Sequence, residues 1–319
     1  YPATAYIKGF LNTKNMESVQ ADLGIEVILE LFSKTGLEKL FQVQSEQFIV
    51  EELSPNAQRI LALQNEYIKT IDAVIAFLQG KNPTLALQIC QEDFLPEASR
   101  FSQLEQMDWA FGTMGTQDKA KHLATLYLED ISDFIVECVD ENFGFSRYAE
   151  RLGRSANSFD ELYQALQKQP TYIDEILISI LEKKMEIIQP NFFLISVPFP
   201  GNLYAAFRSA QWVKKHHPNI KIAMGGGFPN TELRSLSDKR VFEFFDYITL
   251  DDGELPVELL IENEYKISDK EYKRTFLLEN GEVVYKNNSS RLDYKQSEVG
   301  TPDYSDLFLD KYISVIEIV

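Results

Sequence analysis

The chain has 319 residues, 45% hydrophobic and 25% charged, with a formal net charge of −18 from 31 basic and 49 acidic side chains. Such a length accommodates about two domains. The acidic balance repels phosphate backbones and anionic lipid, which argues against a nucleic-acid partner. The sequence has no run of about 18 apolar residues, so no membrane span is predicted. Cys90 and Cys138 are too few for a disulfide framework and fall on apolar helix faces, which points to buried thiols in a reducing, cytoplasmic compartment. Together with three histidines, they leave too few soft ligands for a zinc or iron–sulfur site within the chain.

The opening Tyr1-Pro2-Ala3-Thr4-Ala5 has neither the basic start nor the apolar stretch of a signal peptide. Tyr6, Phe10 and Leu11 suit one helix face, Ser18–Ala21 a short strand, and Ile25–Phe32 a second helix. Residues 1–36 therefore read as the first part of an α/β domain. A doubly wound domain that opens on a helix implies a strand just before it, so the pattern predicts a piece of a longer protein.

Residues 37–188 follow a different pattern. Ile60, Leu63, Tyr67, Ile71, Val74 and Leu78 recur at helical spacing, as do Leu123, Tyr127, Ile131, Phe134, Cys138 and Val139. Ser158-Phe159-Asp160-Glu161 has the form of a capping box, and Tyr172–Ile188 is amphipathic up to Pro190. The reading is a helical bundle inserted into the α/β domain, because about 150 residues exceed a single crossover.

Residues 189–265 give the clearest architecture. Phe192–Val197 is a nearly continuous apolar run, the pattern of a strand buried on both faces. Asn202 is placed to cap a helix to about His216 that turns Leu203, Phe207, Ala210 and Val213 to one side. Ile220–Met224 is a second strand, followed by Gly225-Gly226-Gly227 and a helix expected over about Thr231–Phe245. Tyr247–Leu250 is a third strand, and Asp251-Asp252-Gly253-Glu254 leads into a helix over Leu255–Glu262. Strands and helices alternating in this way predict a doubly wound parallel sheet. Residues 266–319 comprise a small hairpin with Asn280-Gly281 as a type I′ turn, and then a polar linker over 287–311. The β-like run Tyr312–Val319 needs a partner strand, a second sign of a longer protein.

Ligands of open parallel sheets sit beyond the carboxyl ends of the strands. Three turns meet that condition: Ser196, Pro198, Gly201 and Asn202; Gly225, Gly226, Gly227, Asn230 and Thr231; and Asp251, Gly253 and Glu254. Side-chain-free glycines let the backbone approach a ligand, and a helix beginning near Asn230-Thr231 offers its amino-terminal dipole to an anion. The turn is neither a Walker loop nor the dinucleotide fingerprint. The acidic turn reads either as ligands for a hard cation or as a cap in which Asp252 or Glu254 starts the next helix. His216-His217 sits at a helix carboxyl end, where polar or cationic side chains satisfy carbonyls.

These segments resemble the cobalamin-binding, Rossmann-like domain that precedes the catalytic part of many radical S-adenosylmethionine enzymes. The resemblance rests on Phe192–Asn202, Gly225–Asn230 and Tyr247–Glu254, on Tyr1–Tyr6 as the start of a first helix, and on Thr301–Leu307 as the connector toward a catalytic barrel. Such domains carry Asp-x-His-x-x-Gly, Ser-x-Leu and Gly-Gly signatures. Ser196-Val197-Pro198 stands in the second place with Pro for Leu, Gly225-Gly226 matches the third, and no Asp-x-His lies near Tyr1. The resemblance implies cobalamin as a cofactor, with Ser196 and the glycines around its nucleotide tail, but no histidine ligand to cobalt. It also implies a radical S-adenosylmethionine domain in cis, with an iron–sulfur cluster bound by Cys-x-x-x-Cys-x-x-Cys, which neither Cys90 nor Cys138 supplies. The chain is then not catalytic alone. Two other readings remain open: a degenerate cofactor domain acting as a scaffold or substrate-recognition module, and a free-standing nucleotide-binding protein.

Overall fold

The structure, a computed structural model, describes residues 3–47, 53–91, 93–106, 108–145 and 159–316. These form an α/β protein with twelve α-helices and one five-stranded sheet. The helices are α1 (Ala3–Thr13), α2 (Leu23–Leu31), α3 (Lys34–Gln47), α4 (Pro55–Ala62), α5 (Gln64–Leu78) and α6 (Ala86–Ile89). They continue with α7 (Asp108–Cys138), α8 (Asp160–Gln167), α9 (Tyr172–Ile188), α10 (Leu203–His216), α11 (Gly227–Glu232) and α12 (Glu254–Asn263). The strands are β1 (Phe192–Ser196), β2 (Lys221–Gly225), β3 (Tyr247–Thr249), β4 (Thr275–Glu279) and β5 (Glu282–Lys286).

Two compact units emerge. One comprises Tyr1–Asp22, Ala149–Gln169 and Leu177–Leu307; the other comprises Leu23–Tyr148, Pro170–Ile176 and Phe308–Val319. The helical unit thus takes in α2, which packs on α3, whereas the sequence pattern starts the bundle at residue 37.

In the α/β unit, the strand order follows the chain, β1-β2-β3-β4-β5. β1, β2 and β3 are parallel, while β4 runs antiparallel to β3 and β5 antiparallel to β4. The sheet is therefore mixed rather than purely parallel, and the hairpin extends it instead of standing apart. The path between α12 and β4 explains the reversal. Fully buried Asn263 donates to Glu271 O and accepts from Glu271 N, and Leu250 N donates to Arg274 O, so residues 264–274 lead the chain back to the carboxyl end of β3. Asn280 and Gly281 adopt φ of 53° and 80°, as a type I′ turn requires.

Phe10 and Leu11 of α1, Val257 of α12 and Val299 form one apolar cluster, with Leu194 of β1 packed against it. Ala223, Tyr247, Leu260, Tyr272 and Leu277 form another. Alternation along β2 puts Ile222 and Met224, both fully buried, on the opposite face, so the sheet is covered on both sides. The expected faces of α10 hold: Leu203, Phe207, Ala210 and Val213 are all buried. Buried Arg208 of α10 donates to Leu166 O and Ala165 O, capping the carboxyl end of α8 and tying that helix to the α/β unit.

Two expectations fail here. Ser18–Ala21 is not a strand: Gln20 N donates to Asp306 Oδ2 at 3.0 Å and its side-chain amide to Asp303 O, so side-chain and loop acceptors take the place of a ladder. Residues 287–307 are not a loose linker but a strap across α1 and α12. Asp303 N donates to Ala5 O, Lys8 pairs with Asp306, and Glu258 of α12 accepts from Lys14, Arg291 and Tyr294. A Cβ on Gly9 would lie 2.1 Å from Thr301 O, so glycine is what lets the strap touch α1.

The helical unit is built on aromatic contacts, Tyr67–Tyr127 at 5.1 Å and Phe41–Phe134 at 5.3 Å between ring centroids. The apolar run through 60–78 is broken at Leu63 into α4 and α5, and α7 is interrupted at Gly115, which has φ 80° and ψ 167°. The expected capping serine, Ser158, lies outside the described residues. Fully buried Asp130 on α7 accepts from Ala98 N and Arg100 N, both at 3.0 Å. Burial raises its carboxyl to about 6 and outweighs those two hydrogen bonds, which act in the opposite sense. An acid whose folded value lies above its unfolded one binds more protons when folded. Asp130 therefore lowers stability as pH rises from about 4 through about 6. Chemical denaturation between pH 4 and 7 should show this fall in the unmodified chain and a flatter profile in Asp130→Asn; identical slopes would contradict the assignment.

Candidate functional site

The three turns proposed from sequence do meet at the carboxyl ends of the parallel strands, the first two joined by main-chain hydrogen bonds and the third through the side chains of Asn230 and Thr249. Ser196 pairs in register with Gly225, Val197 N donates to Gly225 O at 2.8 Å, and Phe228 N donates to Val197 O at 3.0 Å. Thr249 Oγ1 donates to Met224 O at 3.3 Å. Asn230 Oδ1 then accepts from Asp251 N at 2.5 Å. Every turn is thus held by its neighbour.

The glycines owe their identity to this contact. A Cβ on Gly226 would lie 2.7 Å from Val197 O, and one on Gly227 would lie 2.7 Å from Pro198 O. A Cβ on Gly225 would meet Thr249 Oγ1 at 2.9 Å. Gly226 also sits at φ 107°, in a region that disfavours other residues. At Gly226 and Gly227 the space a side chain would fill is occupied by the chain's own backbone, and at Gly225 by the Thr249 hydroxyl.

Several expected roles change with the local geometry. The helix after the glycines is α11, six residues long and starting at Gly227, not a helix over Thr231–Phe245. Asn230 and Thr231 are therefore inside it, and Thr231 Oγ1 turns back to Gly227 O and Phe228 O at 3.3 and 3.4 Å. So short a helix, capped by a glycine with no side-chain bond, is a poor source of dipole for an anion. Asn202 makes no side-chain cap on α10; Pro200, Gly201 and Asn202 instead form a 3₁₀ turn that feeds the helix. Gly253, rather than Asp252 or Glu254, holds the capping position of α12, and Glu254 occupies its first turn, where a carboxylate favours the dipole.

Asp251 takes a left-handed conformation, φ 61°, at the end of β3. Its carboxylate pairs with Arg234 and faces Arg274 Nε at 3.7 Å. Arg274 makes a two-pronged pair with Asp293, at 2.8 and 2.7 Å, and also donates to Leu250 O and Asp252 O. The guanidinium holds the Asp293 carboxyl below the usual carboxylate range. Arg234, Arg274 and Asp293 were absent from the sequence reading. Arg234 lies one helical turn beyond Asn230, the only signal available; Arg274 and Asp293 arrive from the hairpin segment. Arg234 and Arg274 thus offset the charge of Asp251 in the acidic turn. Among the described residues, no group of three or more His, Cys, Asp or Glu side chains is arranged to hold a metal ion.

An open groove of about 540 Å³ is lined by Met185, Glu186, Gln189 and Pro190, with His216–Ile220 opposite. It lies by the end of α10 and the start of β2, the amino ends of the strands, and so away from the three turns. His216 Nδ1 approaches Trp212 O at 2.8 Å, the carbonyl-satisfying role expected at a helix end. Cys138 is buried and Cys90 half-buried, and burial raises both thiols. No helix of the described residues is long and apolar enough to cross a membrane.

No family model matches the chain, and neither a curated protein nor a solved structure matches it.

Gly226→Ala should cost roughly 3 kcal/mol of stability with no ligand present, from positive φ and backbone overlap. Urea unfolding of the two proteins measures it, and an unchanged midpoint would mean that the glycine is not needed for packing.

Proposed function

We propose that the chain is the N-terminal, cobalamin-binding-like region of a radical S-adenosylmethionine protein, not catalytic alone. In this reading the α/β unit is a scaffold or recognition platform rather than the seat of a corrinoid. The sequence resemblance supports the family. The observation that carries the role is the filled glycine turn: Val197 and Pro198 occupy the space over Gly226 and Gly227 that a nucleotide tail was expected to use. Two polar side chains of the shelf are also engaged, Asn230 with Asp251 and Thr231 within its own helix. The residues present do not form a cradle for cobalamin, and no chemical step is assigned to it.

A doubly wound sheet belongs to the same proposal. β1, β2 and β3 step in one direction, so a reversal of strand order falls at the outer edge of β1, where this reading places a further strand. The five residues of β1 are only half-buried although nearly all are apolar, which favours a neighbour there. A cytoplasmic setting and a radical S-adenosylmethionine domain in cis complete the reading.

A second reading retains bound cobalamin, on the strength of Ser196 standing beside Gly225 at the strand ends. Incubation with hydroxocobalamin followed by gel filtration separates the two. The scaffold reading expects no corrin absorbance to travel with the protein. Retention at about one corrin per chain would overturn it in favour of the second.

A further inference from the structure

The apolar run from Tyr312, expected to be a strand, forms none through Ile316; residues 317–319 lie outside the described residues. It is held instead by helices of the helical unit. Ser314 N donates to Leu78 O at 2.9 Å, and Gln79 Nε2 donates to Lys311 O at 2.8 Å, both at the carboxyl end of α5. On α7, Thr125 Oγ1 accepts from Ile316 N at 3.1 Å, and His122 Nδ1 lies 3.1 Å from Ile316 O. A carbonyl only accepts, so Nδ1 carries the proton.

The pattern of bonding is that of peptide capture. In an extended chain, the main-chain groups of residues two apart face one side, so Ser314 and Ile316 present theirs together. Their side chains contribute little: Ser314 and Val315 are exposed and Ile316 is half-buried. The receiving groups, by contrast, are deeply placed, with His122 3% and Thr125 1% exposed. Burying such polar groups is costly unless they are hydrogen-bonded. Thr125 Oγ1 meets both requirements, donating to Lys121 O at 2.8 Å while accepting from Ile316 N. Lys81 adds an exposed pair with Asp310 at 3.1 Å near the entrance of the segment.

We propose that the helical unit is a clamp for an extended peptide main chain, formed by the end of α5 and the buried His122–Thr125 pair of α7, and occupied by the chain's own residues 308–316. The role is independent of what the α/β unit binds. It gives the helical unit a specific task, namely fixing the path of the chain after the strap ends at Leu307.

Amide hydrogen exchange on the full chain tests this. The Ser314 and Ile316 amides should exchange at least 100-fold more slowly than in a free peptide of residues 308–319. Ser314→Pro removes the donor to Leu78 O, and Thr125→Val removes the acceptor for Ile316 N. Each should speed exchange at Ile316 at least 10-fold while the Leu128 amide in α7 stays protected. Thr125→Ser, which keeps the hydroxyl, should restore slow exchange. Should Thr125→Val unfold the unit, Ser314→Pro alone decides, since it changes an exposed residue. Free-peptide rates at Ser314 and Ile316 in the unmodified chain, or protection that survives Ser314→Pro, would overturn the clamp.

Discussion

The backbone of Val197 and Pro198 presses directly against Gly226 and Gly227, and the arrangement of the α/β unit follows from that contact. It makes the ends of β1 and β2 a single body, with Phe228 N–H closing onto Val197 O. The chain then enters α11 at once, which brings Asn230 beside Asp251 and carries the constraint to β3. Arg234 and Arg274 pair with Asp251 in the acidic turn that results. Where sequence pattern reads a crevice open toward ligand, the ends of β1 and β2 touch through their own main chain.

A comparable contact secures the other layer. Gly9 admits Thr301 against α1, and Gly300, at φ 78°, turns the strap so that Asp303 and Asp306 reach Asn12, Lys8 and Gln20. Glu258, almost fully buried on α12, is offset by two cations and a tyrosine hydroxyl. A buried carboxylate is tolerated only with such pairing, and removing one partner leaves it uncompensated. The strap is therefore fixed by polar and steric matching in addition to the apolar contacts of Val299 and Tyr294 with Phe10.

That difference accounts for what the sequence revealed. Elements with strong periodicity were legible: Tyr172–Ile188, the buried face of α10, the strands near 192, 221 and 247, and the Asn280-Gly281 hairpin all stand where pattern put them. Elements held by side-chain-to-backbone bonds were not. Nothing in Ser18–Ala21 shows that its donors go to Asp303 and Asp306, almost 300 residues away, and the polar composition of 287–307 conceals a packed strap. The direction of β4 depends on Asn263 gripping Glu271, which no hydrophobic pattern encodes. At the site, the residue positions were legible, but a glycine needed by a ligand and one needed by a neighbouring backbone look alike in sequence. The left-handed Asp251 and its arginine partners depend on segments that meet only in the fold.

The closed shelf is tested most directly by amide exchange at Val197 and Phe228, whose N–H groups bond across the glycine turn. If the turn is a packing element, both amides exchange only through global unfolding, at rates that added hydroxocobalamin leaves unchanged. Rapid exchange at Phe228 in the free protein, slowed when the corrinoid is added, would show a turn that opens for ligand and would contradict the account.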